Sequence, residues 1–155
     1  NLAGKTNDTV IKDVLNTVIL FQASNGQAGN SCGNMNATAC QVFNVINTVR
    51  ADAGLPALTF GSACTQDAQN HSNDMALNNF LSHLSSAGVV TKDRLNQLGI
   101  GAPWAEIIVK GSTLAAQDAV NVWMSSETQK QNILSPLFTS MGVGFSNGYF
   151  TTCFN

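Results

Sequence analysis

The chain has 155 residues, which is enough to bury the core of one domain. Hydrophobic residues make up 44% of the chain and charged residues only 10%, and the formal net charge is −2. Because no basic run occurs, the composition disfavours binding to nucleic acids through their phosphates. No apolar stretch approaches the ~20 residues that a membrane-spanning helix requires.

The cysteines and the glycosylation triplets indicate an extracellular protein. The four cysteines form an even set, and none belongs to a Cys-x-x-Cys pair of the kind found at zinc or redox sites. Asn7 and Asn36 each begin an Asn-x-Thr triplet that can carry a glycan, whereas the triplet at Asn70 would lie within a helix. Disulfides and glycans both occur outside the cytosol, so we predict a secreted glycoprotein. Because the sequence opens without a leader, we interpret it as a mature form.

The first forty residues predict a helix followed by a loop. Between residues 8 and 23, apolar side chains recur at the three- and four-residue intervals of an amphipathic helix. Residues 24–38 are rich in Ser, Asn and Gly, and this composition predicts a loop. A disulfide between Cys32 and Cys40 would fix this loop to the next helix.

Three further helices are predicted before residue 100. The second helix runs from Thr38 to Ala53 and ends before a Gly-Leu-Pro sequence. Ser62 is predicted to be the N-cap of the third helix. A short helix follows over residues 92–98. The third helix carries Ala63, Cys64, Ala68, His71, Met75 and Leu77.

The last third of the chain predicts strands as well as helices. Residues 106–109 favour a strand because they include Ile-Ile-Val, although a helical turn is also compatible with them. Another short helix is predicted over 128–134, and two strands over 139–145 and 149–154 are joined by an Asn-Gly turn. Helices that precede a terminal antiparallel sheet predict an α+β architecture with helices packed on the sheet. Thr113 is predicted to cap a helix whose apolar face comprises Leu114, Ala115, Ala119, Val122 and Trp123.

Three polar side chains stand beside apolar segments at equal intervals of 23 residues. His83 closes an amphipathic run and opens a Ser/Gly loop. Glu106 follows a Gly-Ala-Pro-Trp turn and precedes an apolar segment, and Gln129 opens a polar turn before an apolar helix end. We expect these three side chains to meet at one solvent-facing cleft.

Six stretches from about residue 41 onward follow the order found in one known family: Asn44–Leu58, His71–His83, Asp93–Ile100, Ala105–Ile107, Val122–Leu134 and Phe138–Gly144. Together they resemble the CAP superfamily of cysteine-rich secretory proteins, antigen 5 and group-one pathogenesis-related proteins, in its compact bacterial and fungal style. The resemblance implies that residues 41–155 form the CAP (SCP) domain and that residues 1–40 are an N-terminal extension. It also implies an α-β-α sandwich with a terminal antiparallel hairpin and a shallow cleft lined by histidines and acidic residues.

The resemblance assigns the three polar side chains to this cleft. His83 matches the first cleft histidine, in a Phe-x-Ser-His pattern. Glu106 matches the glutamate of a Gly/Ala-Glu-Asn stretch, in which Ile107 replaces the usual Asn. Gln129 stands where the second histidine of a Gly-His-x-x-Asn-Ile-Leu pattern is expected.

His83 and Glu106 are the candidate ligands for a divalent metal such as zinc or magnesium. Protein zinc sites generally use three or four His, Cys or carboxylate ligands, and the carbonyl of Gln129 is a poor zinc ligand. Two good ligands therefore disfavour tight metal binding. The alternative is a hydrogen-bonded network of the three side chains that supports the loops. His71 is expected to be a half-exposed helix residue.

The sequence marks no catalytic nucleophile. The residues around Ser62 do not form a nucleophile elbow, and a Cys-His protease would need a free thiol. Four cysteines allow three pairings, of which we predict Cys32–Cys40 and Cys64–Cys153. The second pairing would tie the third helix to the last strand, and each bridge would add about 2–4 kcal/mol of stability.

The resemblance implies a secreted, monomeric, non-catalytic protein that binds a sterol, a fatty acid or an extracellular protein partner. Two alternatives are a metal-assisted hydrolase that uses His83 and Glu106, and an extracellular recognition protein in defence or virulence. A fold does not dictate a function, so these alternatives stay open. The candidate ligand entrance is the loop Ser82–Thr91, whose apolar residues are Leu84, Ala87, Val89 and Val90.

Overall fold

A computed structural model of the chain describes residues 31–155, in which helices pack on a four-stranded sheet. The strands are β1 (Thr59–Phe60), β2 (Ala105–Lys110), β3 (Ser140–Ser146) and β4 (Tyr149–Phe154), in the spatial order β1-β3-β4-β2. Strand β4 pairs antiparallel with β3 and β2, whereas β1 pairs parallel with β3. The sheet is therefore mixed.

The predicted terminal hairpin is confirmed. Its two turn residues, Asn147 and Gly148, have φ values of 44° and 84°. Positive φ at both positions gives a twist that matches the flanking strands, and Asn-Gly is the preferred pair for it. Residues 105–110 form a strand, as their β-branched side chains favour. The short strand β1 was not predicted, because two residues show no alternation of polar and apolar side chains.

Five helices surround the sheet within the described residues. They are α1 (Ala37–Asp52), α2 (Ser62–Asn78), α3 (Thr91–Gln97), α4 (Ala116–Met124) and α5 (Glu127–Ile133). None of these helices combines the length and the apolar composition that a membrane span requires.

The two faces of the sheet carry different helices. Met141 and Val143 of β3 belong to the large apolar core, together with buried residues of α1 and α4. Successive residues of a strand point to opposite faces. Gly142 and Gly144 therefore face the other side, where the backbone of α2 lies. This arrangement confirms the predicted α-β-α sandwich.

Helix α2 lies unusually close to β3 because glycines face it. A Cβ atom added to Gly142 would lie 2.0 Å from the backbone nitrogen of Thr65, and one added to Gly144 would lie 2.3 Å from the carbonyl carbon of Ala68. The helix thus packs with its backbone directly on the strand. This approach brings Cys64 of α2 to Cys153 of β4, and the two form a disulfide.

Helix α1 begins with a side-chain cap at Asn36. The Oδ1 atom of Asn36 accepts a hydrogen bond from the Ala39 N–H at 2.9 Å, as N-cap residues do. Its Nδ2 atom donates to Oε1 of Gln69 at 3.1 Å and to the carbonyl of Phe145 at 3.0 Å. The second predicted disulfide, Cys32–Cys40, spans this helix start.

Two helix starts differ from the predictions. The helix expected to be capped by Thr113 begins later, at Ala116. The carboxylate of Asp118 accepts a hydrogen bond from the Ala115 N–H at this helix start. Ser62 is the first residue of α2, and Gly61 occupies the N-cap position. In both cases a hydroxyl residue lies near the helix start without capping it.

Two apolar residues assigned to helices are exposed. Leu77 of α2 is 85% exposed, and Val122 of α4 is also exposed although it was placed on the apolar face. Met75 in α2 and Trp123 in α4 contact the core as predicted, and Val120 joins them in the position expected for Val122.

The predicted helix over residues 8–23, the first part of the loop that follows it, and Asn7 lie outside the described residues. The division of the chain at residue 41 remains a proposal.

We expect Gly144→Ala to destabilise the fold by about 3 kcal/mol, because the new methyl group would overlap the α2 backbone. Urea unfolding measures the change. Gly101→Ala is the matched control, because no atom lies within 4 Å of a Cβ added there. Equal stability of the two variants would contradict the close packing of α2 on β3.

We expect the two disulfides to contribute unequally. The Cys64–Cys153 bridge joins residues 89 positions apart, and the Cys32–Cys40 bridge joins residues 8 apart. Loop-closure entropy predicts that replacing the first pair by alanine costs about 4–5 kcal/mol and replacing the second about 2–3 kcal/mol. Unfolding of the two double variants tests the order, and a larger loss for the short bridge would contradict it.

Candidate functional site

The first two predicted cleft residues are in direct contact. Glu106 is the second residue of β2 and its side chain is buried, whereas His83 lies in the loop between α2 and α3 with 57% of its side chain exposed. Nδ1 of His83 lies 2.8 Å from Oε1 of Glu106. A carboxylate can only accept hydrogen bonds, so Nδ1 carries the proton and Nε2 remains available on the exposed ring.

Two further residues donate hydrogen bonds to the buried carboxylate of Glu106. The hydroxyl of Thr91 donates to Oε1 of Glu106 at 3.2 Å, and the guanidinium of Arg94 donates to Oε2. Arg94 also donates through Nε to Oδ1 of Asp67 at 3.1 Å. We call these five residues, Asp67, His83, Thr91, Arg94 and Glu106, the Glu106 network.

The two carboxylates of the network have opposite pKa shifts. Burial raises the pKa of Glu106, but the hydrogen bond from His83 and the charge of Arg94 outweigh burial and leave the pKa below its usual value. Burial also raises the pKa of Asp67, and Arg94 opposes this effect without overcoming it. Glu106 is therefore the carboxylate whose ionised form the site favours.

His71 is buried, contrary to the prediction of a half-exposed helix residue. It is only 2% exposed, because it lies on the face of α2 that packs against the sheet with Cys64, Ala68 and Met75. Its Nε2 atom lies 2.7 Å from the Ser82 carbonyl oxygen and 4.0 Å from a carboxylate oxygen of Glu106. Within residues 31–155 its Nδ1 atom has no hydrogen-bond partner.

Side chains of α2 and α3 hold the backbone of the loop that carries His83. His71 contacts the carbonyl of Ser82, and Nη1 of Arg94 donates to the carbonyl of His83 at 2.6 Å. Farther along, the carboxylate of Asp74 accepts a hydrogen bond from the N–H of Ser86 at 2.8 Å. Residues 80–90, which we call the 80–90 loop, are thus anchored to α2 and α3 at several points.

Gln129 does not join this network. It lies on α5, and its Nε2 atom donates to the carbonyl of Ile108 at 3.4 Å. No hydrogen bond links it to His83 or Glu106 among the described residues, although Ile108 is only two positions beyond Glu106 on β2. The structure therefore brings two of the three predicted cleft residues into contact and attaches the third to the same strand.

The donor set does not fit a divalent metal. Nδ1 of His83 is already hydrogen-bonded to Glu106, and both oxygens of Glu106 accept hydrogen bonds. The guanidinium of Arg94 already contacts the Oε2 atom that a metal ion would need. No group of three or more His, Cys, Asp or Glu side chains suited to a metal occurs in the described part of the chain. These residues leave too few free ligands for zinc or magnesium.

Sequence reasoning missed three members of the network and His71. Asp67 and His71 are four residues apart on one helix, which places them on the same face and could have indicated a shared polar site. Arg94 lies in one of the stretches that resemble the family, but nothing local to it or to Thr91 indicates a contact with Glu106.

Exposed apolar side chains concentrate in the stretch of chain around His83. Among the described residues, six large hydrophobic side chains are exposed: Leu77, Leu81, Leu84, Val90, Val122 and Leu137. The first four lie between residues 77 and 90, and three of these belong to the 80–90 loop. The exposed imidazole of His83 is thus flanked in the chain by apolar surface residues.

The chain matches a protein family and two relatives from Bacillus subtilis (strain 168). The model of the cysteine-rich secretory protein family, CAP, matches residues 43–153. An uncharacterised membrane protein, YlbC, is 30% identical over 114 residues, which cover 74% of this chain and 33% of the relative. An uncharacterised protein, YkwD, is 33% identical over 106 residues, which cover 68% of this chain and 41% of the relative. The chain therefore spans less than half the length of both relatives.

Solved structures share the fold. An extracellular SCP-domain protein from Bacillus anthracis str. Ames has a TM-score of 0.72 and 30% identity, with 77% of this chain and 40% of that chain covered. An outer surface protein from Borrelia burgdorferi has a TM-score of 0.68 and 16% identity, with 77% and 92% covered, so that its likeness concerns the fold alone. Since the family match spans most of the chain and the same sandwich occurs in a solved SCP-domain protein, the chain belongs to the CAP family of cysteine-rich secretory proteins.

Proposed function

We propose that the chain is a non-catalytic binding protein that acts outside the cell and binds an amphipathic lipid, a sterol or a fatty acid, at the surface formed by His83 and the 80–90 loop. The observation that carries this proposal is the concentration of exposed apolar side chains beside an exposed, polar imidazole. Apolar groups supply the contact for a hydrocarbon body, and the imidazole supplies the contact for a single polar head group.

The apolar side chains of the loop have surface left to bury. Leu81, Leu84 and Val90 are 49%, 45% and 47% exposed. Scattered apolar residues are ordinary on a protein surface, but several on one segment indicate an interaction site. Each Å² of apolar surface removed from water contributes about 25 cal/mol, so contact with a lipid would stabilise the complex.

The loop is prepared for binding because its backbone is already fixed. His71 and Arg94 hold consecutive carbonyl oxygens, those of Ser82 and His83, and Asp74 holds Ser86. A segment ordered before binding loses less conformational entropy when the ligand arrives. The hydrogen bonds that anchor the loop backbone therefore lower the entropy cost when its exposed apolar side chains bind a lipid.

His83 supplies the polar contact. Its Nδ1–H is donated to Glu106, so Nε2 of the neutral ring can accept a hydrogen bond from a sterol hydroxyl. When the ring is protonated, Nε2–H can instead donate to the carboxylate of a fatty acid. One side chain thus accommodates both head groups.

A hydrolytic role receives less support. CAP proteins are generally non-catalytic. The carboxylate of Glu106 is bonded to three donors, and the ligands around it do not fit a metal that would activate water. Within residues 31–155, the imidazole of His83 is hydrogen-bonded only to Glu106, and the hydroxyl of Thr91 contacts the backbone carbonyl of His83 rather than its ring.

Two observations support an extracellular location. All four cysteines are paired in disulfides, and such bonds persist in oxidising compartments. The similar Bacillus anthracis structure is described as an extracellular protein.

We expect the full chain to take up radiolabelled cholesterol or palmitate in a saturable manner. Leu84→Ser should weaken the affinity about tenfold, because it removes one apolar contact from the loop. Leu137→Ser is the matched control: Leu137 is also exposed but lies far along the chain from the loop, and we expect no change in affinity. Absence of saturable uptake of both lipids, or equal effects of the two variants, would contradict the proposal.

The proposal gives Glu106 a structural role, which predicts a pH dependence of stability. Its pKa is lower in the folded protein than in the unfolded chain. As the pH falls, the unfolded chain therefore binds the proton first, and the stability that the ionised group provides is lost. Because the unfolded pKa is about 4.3, this loss begins near that pH and is complete below the folded pKa.

We expect Glu106→Gln to lower the free energy of unfolding at neutral pH by about 3 kcal/mol, because Arg94 loses its buried partner. The difference between the wild-type protein and the variant should shrink as the pH falls below about 4. The raised pKa of Asp67 has the opposite effect on stability, and this effect should be smaller in the variant because the charge of Glu106 contributes to that rise. Urea unfolding across this pH range measures the difference.

Glu127→Gln is the control for this experiment. Glu127 is exposed on α5, and we expect a change of less than about 0.5 kcal/mol at any pH. A difference between wild type and Glu106→Gln that stays constant as the pH falls would show that the carboxylate charge does not stabilise the fold.

A further inference from the structure

A groove beside α2 shares no residue with the Glu106 network. Its volume is about 430 Å³. Residues of α2, of the segment before α1 and of the end of α3 contribute to it, and they include Asn34, Met35, Ser62, Gln66, Asn70 and Leu98. Ser62, Gln66 and Asn70 recur every four residues and so follow one face of α2 over about 12 Å.

Three of the carboxamide side chains that line this groove have no hydrogen-bond partner among the described residues. The side chains of Asn34, Gln66 and Asn70 make no hydrogen bond to another residue between 31 and 155. Gln69, which also contributes to the groove, differs from them. Its Oε1 atom accepts from the Phe145 N–H and its Nε2 atom donates to the Phe145 carbonyl, so this side chain is a fixed part of the wall.

The chemistry of the groove selects a neutral ligand. Among residues 31–155, no Asp, Glu, Lys, Arg or His contributes to it, so these residues provide no partner for a charged group. Each free carboxamide offers both donors and an acceptor, and the hydroxyl of Ser62 offers both functions as well. Met35 and Leu98 add apolar contacts. Binding sites commonly combine apolar walls with a few polar groups that fix orientation.

We propose that this groove binds a neutral oligosaccharide that carries acetamido groups. Sugar hydroxyls both donate and accept hydrogen bonds, and acetamido groups do the same in the geometry of a carboxamide. The C–H faces of the rings match the apolar contacts at Met35 and Leu98. The spacing along α2 provides room for more than one ring.

A peptide ligand is less compatible with the groove. Peptides commonly add to an exposed strand edge, insert an apolar helix face or present a charged group. The part of the chain that the structure describes contributes no strand residue, no charged side chain and only small or isolated apolar contacts to the groove. Hydrogen bonding to side-chain carboxamides is therefore its main recognition chemistry.

The test is a nuclear magnetic resonance titration of the 15N-labelled full chain. The probes are the β-1,4-linked tetramer of N-acetylglucosamine, the corresponding tetramer of glucose, and a neutral Ser-Asn-Gly-Ser peptide, each at millimolar concentration. We expect saturable shifts of the side-chain amide signals of Asn34, Gln66 and Asn70 with the acetamido tetramer, and weaker shifts with the glucose tetramer.

Gln66→Ala should weaken binding of the acetamido tetramer about fivefold, the loss expected for one hydrogen bond. Gln117→Ala is the matched control, because Gln117 is also an exposed helix glutamine but lies on α4. It should leave the affinity unchanged. The unperturbed backbone spectrum of each variant shows that it is folded.

Saturable shifts confined to the groove and reduced by Gln66→Ala support the proposal. No saturable shift with either tetramer, binding of the peptide alone, or equal effects of the two variants would overturn it. Binding of the glucose tetramer as tightly as the acetamido tetramer would overturn the assignment of acetamido groups.

Discussion

The close contact between α2 and the sheet sets the positions of the long-range disulfide and of the buried polar side chains. Gly142 and Gly144 present no side chain to the helix, so its backbone lies directly on β3. At that distance Cys64 reaches Cys153 of the neighbouring strand. The same inner face of the helix carries Asp67 and His71, and it therefore places two polar side chains next to β2. A wider spacing would leave both groups without their partners.

At most protein surfaces polar side chains are exposed and apolar ones are buried, but the site around His83 shows the reverse arrangement. Polar and charged side chains are buried below the 80–90 loop, whereas leucine and valine side chains are exposed on it. Glu106 compensates its burial by accepting hydrogen bonds from three donors, of which Arg94 provides a full opposite charge. Arg94 also contacts Asp67, so one cation serves two acidic groups. The loop is consequently held from within, and its outer surface is free for contacts with other molecules.

The predictions succeeded where short-range patterns carry the information. The 3.6-residue period located the helices, and the Asn147-Gly148 pair located the hairpin. The link between His83 and Glu106 was expected from the resemblance, and the structure places their side chains in contact. Contacts between polar side chains that are far apart in the sequence were not predictable in this way. Arg94 lies on a short exposed-looking helix, and only the packing of that helix turns its guanidinium toward Glu106.

Other differences have equally local causes. His71 has the polarity of a surface residue, but its position on α2 decided its burial. Thr113 had the right chemistry for a helix cap, yet the helix starts where the carboxylate of Asp118 can satisfy a free N–H. Hydrophobic periodicity predicts which face of a helix or strand is buried, but it does not predict which polar side chains will be buried on that face. That choice depends on partners elsewhere in the chain.

The cap at Asn36 changes how its sequence triplet should be interpreted. Asn36-Ala37-Thr38 has the form of an N-glycan acceptor, but the same side chain begins α1 and joins it to Gln69 and Phe145. Attachment of a sugar replaces one of the two hydrogens on Nδ2, so one of those two contacts would have to be given up. Helix initiation alone is sufficient reason for an asparagine at this position. Evidence about cellular compartment is therefore better drawn from the paired cysteines than from this triplet.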